Sequence, residues 1–407
     1  MKTLKIGLGG FKNIGRVAME LSDITVIVGF NNFGKTNLLK GIEFASKFLK
    51  NPDLRAELMA DDSLIPVNVS NAGDDYSFLI RGEADGAEFE YSFSFAWSVN
   101  GKQGSIKEEE LKIKSDTSGR FIKHIMRSGD SGVYKNAVDG RCQRTMQNLG
   151  GNKLAIEYLR EKYPDIYYIN IINEILAFSV DYNRLTDSRI EPRDENGVDN
   201  ILAEIKYMHK NYPDKYIIWE NTVRSLVPAI EEFIFETERL TVPVGGVNLP
   251  YNTVEEKHTM FVKERHMTKS VDLFRLSSGI RRILLLVLNI VLAPINKLSV
   301  IEFEELESSI NPLMLQRLLI TISSICEECR IIITSHSPAL LNFLNPESVY
   351  IGMADVGGAA AFGKIKKSKR DALLAHADDM GIGVGDFIFG LLVEDMAPVS
   401  EWVEQSE

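Results

Sequence analysis

An α/β fold interrupted by a mostly helical insertion is what this sequence predicts, and three observations predict it. Short apolar strands recur near the N-terminus, in LKIGLGGF, ITVIVGF, DYSFLIRG and EFEYSFSFAW. The rhythm returns from Leu276 as LSSGIRRILLLVLNIVLA, LSVIEF, NPLMLQRLLITISSICEE and RIIITSH, where strands feed helices through short connections. Between the two, the composition shifts to charged, helix-like segments such as GNKLAIEYLREKYP, VDNILAEIKYMHKNYP and WENTVRSLVPAIEEFIFETERL. The turn-rich VDYNRLTDSRIEPRDENG among them reads as a surface excursion.

Composition narrows the class. At 407 residues the chain can bury a sizeable core, as several domains or as one domain with a large insertion. Hydrophobic residues at 44% and charged residues at 25% suit a folded chain and not a disordered one. A formal net charge of −11 argues against a surface built wholly for nucleic acid, although a local basic patch is compatible with it. The three cysteines, Cys142, Cys326 and Cys329, are too few for a disulfide scaffold. Cys326 and Cys329 spell C-x-x-C, but no second ligand pair lies nearby, so two small residues packing on a helix end is the favoured reading. The longest apolar run, Ile283 to Leu292, contains Asn289 and is too short to cross a bilayer; it reads as a buried core helix. A cytoplasmic protein with no membrane partner is expected.

Residues 29 to 36 read GFNNFGKT, a complete G-x-x-x-x-G-K-[ST] pattern. Gly29 and Gly34 let the backbone curl into a nest of N–H groups aimed at phosphate oxygens. Lys35 neutralises β- and γ-phosphates, the Thr36 hydroxyl ligates Mg²⁺, and the helix that starts there turns its positive end to the same anion. Asn31, Asn32 and Asn37 belong to the same binding stretch. The buried-strand run ITVIV before the loop and the helical NLLKGIEFASKFL after it are the context this motif requires. ATP with Mg²⁺ is the expected cofactor pair.

Partners for that loop stand far along the chain. LSSGIRR opens a long apolar helix; Ser277 and Ser278 can cap it and Gly279 permits close approach of an anion. Next, the apolar strand LSVIEF runs into Glu304 and Glu305, one carboxylate to order Mg²⁺ and one to polarise water. Glu302 offers a rival register but is followed by Phe303, which has no base chemistry, so Glu304 is expected at the metal and Glu305 as the base. A helix and a strand later comes His336 in RIIITSHSP, placed by a parallel sheet beside the γ-phosphate.

In that order, GFNNFGKT, LSSGIRR, FEELESSINP and TSHSP resemble the Walker A, signature, Walker B with D-loop, and His-switch motifs of ABC-type ATPase heads of the SMC, RecF and OLD (overcoming lysogenisation defect) group. The FKNIG segment near residue 11 also looks like that group's N-terminal strand and turn. The resemblance implies a P-loop NTPase of ABC-ATPase-head type, with residues 1–105 and 271–345 forming the core, 106–270 a mainly helical insertion and 346–407 a C-terminal extension. It further implies a homodimer or larger assembly in which Ser277, Ser278 and Gly279 of one subunit meet the γ-phosphate held by the other, with Ser308 and Ser309 at the seam. Some positions depart from the group: Glu304 replaces the usual Asp, as in OLD-like relatives; Ile280 follows LSSG; Leu306 and Asn311 stand where Pro and His are frequent. These departures fit secure binding with slow hydrolysis. No Q-loop glutamine is assignable, Gln143 being too weak a candidate.

Purpose is less legible. No heptad arrays, Toprim acidic cluster or H-N-H arrangement occurs, so an effector is expected on another chain. The first reading is a regulatory ATPase of a bacterial anti-phage system, similar to those paired with an HNH nuclease (Septu) or a Toprim-like effector (PARIS), with the Septu type favoured. The second is a RecF-like DNA clamp, suggested by the basic stretch from Lys364 to Arg370, which makes nucleic acid a candidate partner. The third is a non-hydrolysing scaffold held together by ATP.

Overall fold

The computed structural model describes residues 1–407 except 32, 100, 115–118, 137–142, 184–200, 244–251, 309, 326–328, 356, 394–400 and 407. The chain divides into two compact units: Met1–Asn183 with Pro294–Leu306 and Cys326–Glu407, and Arg184–Ala293 with Glu307–Ile325.

The first unit opens with β1 (Lys2–Phe11), β2 (Ile14–Glu20) and β3 (Ile24–Val28), continues through β4 (Tyr76–Ala84), β5 (Ala87–Ala96), β6 (Ser105–Lys114), β7 (Phe121–Ser128), β8 (Ser131–Lys135) and β9 (Gln143–Met146), and reaches β10 (Val180–Asn183). The second unit holds β11 (Ile230–Pro243), β12 (Asn252–Glu264) and β13 (Val271–Asp272). Back in the first unit come β14 (Val300–Glu304), β15 (Arg330–Ser335), β16 (Val349–Ala354), β17 (Ala360–Ile365) and β18 (Val403–Gln405).

One sheet spans the first unit, in the order β10-β14-β15-β3-β16-β17-β2-β1-β4-β5-β6-β7-β8-β9, with β18 on β17. From β10 to β16 neighbouring strands run parallel. From β2 through β9 every pairing is antiparallel. The two halves obey different sequence rules. β3, ITVIV, is buried at every position, as a parallel strand covered on both faces must be. In β4 and β5 burial alternates, so Tyr76, Phe78 and Ile80 face the core with Phe89, Tyr91, Phe93 and Phe95. The helix Lys35–Lys50 lays Leu38, Leu39, Ile42, Phe44, Phe48 and Leu49 into the same core, where Phe48 stacks on Phe95 at 4.9 Å.

The boundaries drawn from sequence need correction. Residues 106–183 do not begin an insertion; β6 to β9 extend the sheet of residues 1–105, because their alternating apolar positions (Ile106, Leu111, Ile113, Ile125) are buried in its core. The break falls at Asn183 instead. The second unit, expected to be mainly helical, combines helices with strands. Beside the helices Ile201–Asn211, Pro213–Leu226, Ser278–Leu292 and Pro312–Ile325 it carries a three-stranded sheet, in which β11 and β12 form a long antiparallel hairpin. Its centre is the expected core helix: every residue from Ile283 to Leu292 is buried, and Trp219 Nε1 donates to the Leu284 carbonyl at 3.1 Å. Among the described residues no helix is long and apolar enough to cross a membrane.

Candidate nucleotide site

Register brings the chemistry together. Glu304 pairs with Thr334, Thr334 with Ile27 and Ser335 with Val28, so β14, β15 and β3 end in a row. Ligands of open parallel sheets sit beyond these carboxyl ends. There a cleft of 520 Å³ is lined by Lys12, Asn13, Asn31, Gly34, Lys35, Thr36, Asn37, Ser63, Ile65, Val67, Glu304, Glu305, Thr334 and His336. The loop from Gly29 to Gly34 leaves β3 and hands over to the helix that starts at Lys35.

Both glycines are required by geometry. Gly29 has φ 152°, and a Cβ there would lie 2.7 Å from the Gly352 carbonyl oxygen. Gly34 has φ 76°, with Ala360 and Ile14 occupying the space a side chain would need. The buried Lys35 amine donates to the carbonyls of Gly29 at 2.6 Å and Phe30 at 2.8 Å, and lies 3.4 Å from His336 Nδ1. A lysine held there has its charge at the centre of the loop, where phosphates are expected.

The Thr36 hydroxyl donates to Glu304 Oε1, and the Tyr182 hydroxyl donates to Glu304 Oε2 at 2.7 Å. Glu304 is therefore held by both oxygens. Threonine hydroxyl beside carboxylate is an all-oxygen donor set that fits a hard divalent cation shared with phosphates. Among the described residues no group of three or more His, Cys, Asp or Glu could hold a metal. Glu305 follows in the left-handed region at φ 49°, with its N–H donating to the Thr334 carbonyl at 2.9 Å. That strained backbone turns the side chain out of the strand; it is exposed, and its Oε1 lies 3.8 Å from His336 Nε2. Glu302, on the same strand face as Glu304, is fully buried, with no hydrogen-bond partner for either oxygen among the described residues. Burial first, then the negative charges of Glu43, Asp181 and Glu304, push its carboxyl well above the usual range. The rival register is a core position.

The cleft thus gathers Asn31, Gly34, Lys35, Thr36, Asn37, Glu304, Glu305 and His336, with Gly29 at the root of the loop. Asn37 Nδ2 donates to Asn13 Oδ1 at 2.7 Å, tying the helix start to the β1–β2 turn. Asn32 and Ser309 lie outside the described residues, as do Cys142 and Cys326; Cys329 is buried. Ser277, Ser278 and Gly279 belong to the second unit, where the Ser277 hydroxyl caps the helix Ser278–Leu292 by accepting from Ile280 N at 3.3 Å. Gln143 is on β9, the last strand of the antiparallel half.

Sequence reasoning missed Tyr182 and the wall made by Lys12, Asn13, Ser63, Ile65 and Val67. The wall is strapped together by backbone: Lys12 N donates to the Leu64 carbonyl at 2.9 Å, and Asn71 Nδ2 donates to the carbonyls of Lys12 and Ile14, each at 3.1 Å. Nothing in local spacing marks these residues, because Tyr182 reaches the cleft through pairing of β10 with β14 and the others through contacts between a turn and a loop far apart in the chain.

Fold and cleft together are those of a P-loop nucleotide-binding domain. More specifically, residues 24–342 match AAA_21, described as "AAA domain, putative AbiEii toxin, Type IV TA system", and the chain belongs to that family. Among solved structures it is similar to the SmcHead bound to the C-winged helix domain of ScpA, with TM-score 0.54 at 12% identity over 91% of this chain and 100% of that one. It also matches the SMC head domain from Thermotoga maritima, with TM-score 0.45 at 13% identity over 90% of this chain and 100% of that one. Comparison with curated proteins found no match.

Proposed function

We propose that this protein is an ATP- and Mg²⁺-dependent regulatory ATPase of a bacterial anti-phage system, which pairs with itself around nucleotide and controls a separately encoded nuclease or toxin. The observation that carries the reading is the meeting of Lys35, Thr36, Glu304, Glu305 and His336 at one cleft, from stretches some three hundred residues apart. In this reading Lys35 and the loop amides hold the triphosphate. Thr36 and Glu304 hold Mg²⁺, which supplies charge neutralisation at the β- and γ-phosphates. Glu305, exposed and turned by its left-handed backbone, takes the proton of the attacking water, and His336 stands between it and Lys35 to sense the γ-phosphate. Ser277, Ser278 and Gly279, at a capped helix N-terminus, are suited to close on the nucleotide of a partner subunit.

Support for a defence role comes from the family description, which names a toxin of a toxin–antitoxin system. Support for a second protein partner is indirect: an SMC head of the same fold is described bound to the winged-helix domain of another protein. The DNA-clamp alternative draws less support. Of the basic stretch, Lys369 pairs with Glu401 at 2.7 Å, Arg370 with Glu347, and Lys364 lies 4.6 Å from the centre of the Tyr350 ring.

The test is a set of three proteins. Wild type should bind ATP in calorimetry and release phosphate slowly. Lys35→Ala should lose binding, and Glu305→Gln should keep it while turnover falls about a hundredfold or more, with a dimer accumulating in ATP. Equal phosphate release by wild type and Glu305→Gln would remove the enzyme from the proposal. Failure to co-purify with neighbouring gene products in any nucleotide state would remove the effector.

A further inference from the structure

The phosphate loop carries two phenylalanines, Phe30 and Phe33, where flexibility is usually supplied by small side chains. Their rings meet edge to face at 6.2 Å. Phe30 also meets Phe389 edge to face, at 6.1 Å and 80°. Phe389 belongs to the helix Val384–Val393, in the C-terminal extension beyond the ATPase core.

That helix is anchored at other points as well. At its start Gly385 N donates to Asn342 Oδ1 at 2.8 Å, and Gly383 and Gly385 let the backbone pass against Asn342 and Pro338. Pro338 opens, and Asn342 caps, the short helix Pro338–Leu341 that begins two residues after His336. On another side Phe387 meets Trp402 at 5.6 Å and His376 at 6.1 Å. Trp402 in turn is held to the sheet margin: Lys366 N donates to its carbonyl at 2.8 Å. One helix therefore touches the loop that precedes Lys35 and the short helix that follows His336.

We propose that the helix Val384–Val393 is a brace for the phosphate loop and that Phe389 is the positioning residue through which it acts. The physical need is visible at Lys35. Its amine holds the Gly29 and Phe30 carbonyls, and a phosphate that draws the amine away removes those two contacts. Phe389 keeps Phe30 seated by a contact independent of Lys35, so the loop retains its shape when the lysine turns to phosphate. An aromatic pair of this kind is worth about 0.5–1.5 kcal/mol beyond the area it buries. The inference rests on the nucleotide-binding reading and deepens it by assigning a part to residues outside the motifs.

The test compares full-length wild type, Phe389→Ala, Phe389→Leu and Asn342→Ala by calorimetry with ATP and with inorganic tripolyphosphate, alongside hydrogen exchange of peptides covering residues 28–34. Phe389→Ala should weaken both ligands about tenfold and speed exchange in the loop, with turnover at saturating ATP changed less than KM. Phe389→Leu should recover most of the affinity, and Asn342→Ala should weaken it about threefold by loosening the far anchor. Should Phe389→Ala not fold, Asn342→Ala alone carries the measurement. A folded variant with wild-type affinity and loop exchange overturns the brace, as does a loss of melting temperature without either change. If wild type itself binds neither ATP nor tripolyphosphate, it is the nucleotide reading that fails.

Discussion

Two halves of one sheet treat buried charge in opposite ways. On helices packed beside the antiparallel half, Arg55 and Glu157 are buried and joined by two hydrogen bonds of 2.6 and 2.7 Å, and Arg55 also donates to the carbonyls of Phe48 and Asn152. Glu109, likewise buried, accepts from Ala155 N at 2.5 Å, Ile156 N at 3.0 Å and the Tyr91 hydroxyl at 3.0 Å. In the parallel half, Glu302 is buried with neither oxygen hydrogen-bonded among the described residues, and Glu305 holds a left-handed backbone. The first region satisfies its charges and gains one well-defined packing; the second retains an uncompensated carboxyl and a strained residue beside the cleft. Of the two, Glu305 lines the cleft, where a strained backbone can serve a ligand, while Glu302 lies in the core beneath it.

That contrast can be broken most sharply at Arg55. Replacing it with Met leaves Glu157 as a buried charge without its partner and should cost about 3–5 kcal/mol in denaturant unfolding. ATP affinity of the folded fraction should hold, since Arg55 is not among the cleft residues. A fall in affinity without a fall in stability would erase the division between the halves.

Glu302 gives the next largest effect, through pH. Its folded carboxyl binds a proton more tightly than the unfolded one, so wild-type stability should fall as pH rises above the ordinary carboxylate range. The expected slope is about 1.4 kcal/mol per pH unit while only the folded chain holds the proton. Glu302→Gln removes that proton exchange. Measured in chelator-containing buffer, the variant's advantage should grow with pH; parallel curves for the two proteins would sink the argument.

The smallest expected effect is at Tyr182, whose hydroxyl holds Glu304. Tyr182→Phe should raise the Mg²⁺ concentration needed for tight ATP binding about fivefold, on the order of 1 kcal/mol, with metal-free affinity unchanged. An equal loss with and without Mg²⁺ would make Tyr182 a packing residue and nothing more.

How much of this was legible in advance depended on the range of the interaction. ITVIV followed by GFNNFGKT announces a buried strand, a phosphate loop and a helix, because all three are decided within fifteen residues. The alternation in EFEYSFSFAW likewise foretells a strand with one apolar face. The end of the first unit was not legible. Residues 106–183 look charged and partly helical when read alone, yet β6 to β9 continue a sheet whose earlier strands lie just upstream. Strand pairing is a choice between partners, and a single strand's sequence does not name its neighbour.

The sequence by itself determined which residues are able to hold phosphate, carry a carboxylate to a strand end, or fill a core. Those properties follow from side-chain chemistry and from periods of two and three to four residues. Only the tertiary structure decided that Tyr182 holds Glu304, that Glu302 is buried while Glu305 is turned outward, and that Phe389 reaches Phe30. Each of these depends on pairing register and on contacts between residues far apart in the chain, which local propensity does not encode.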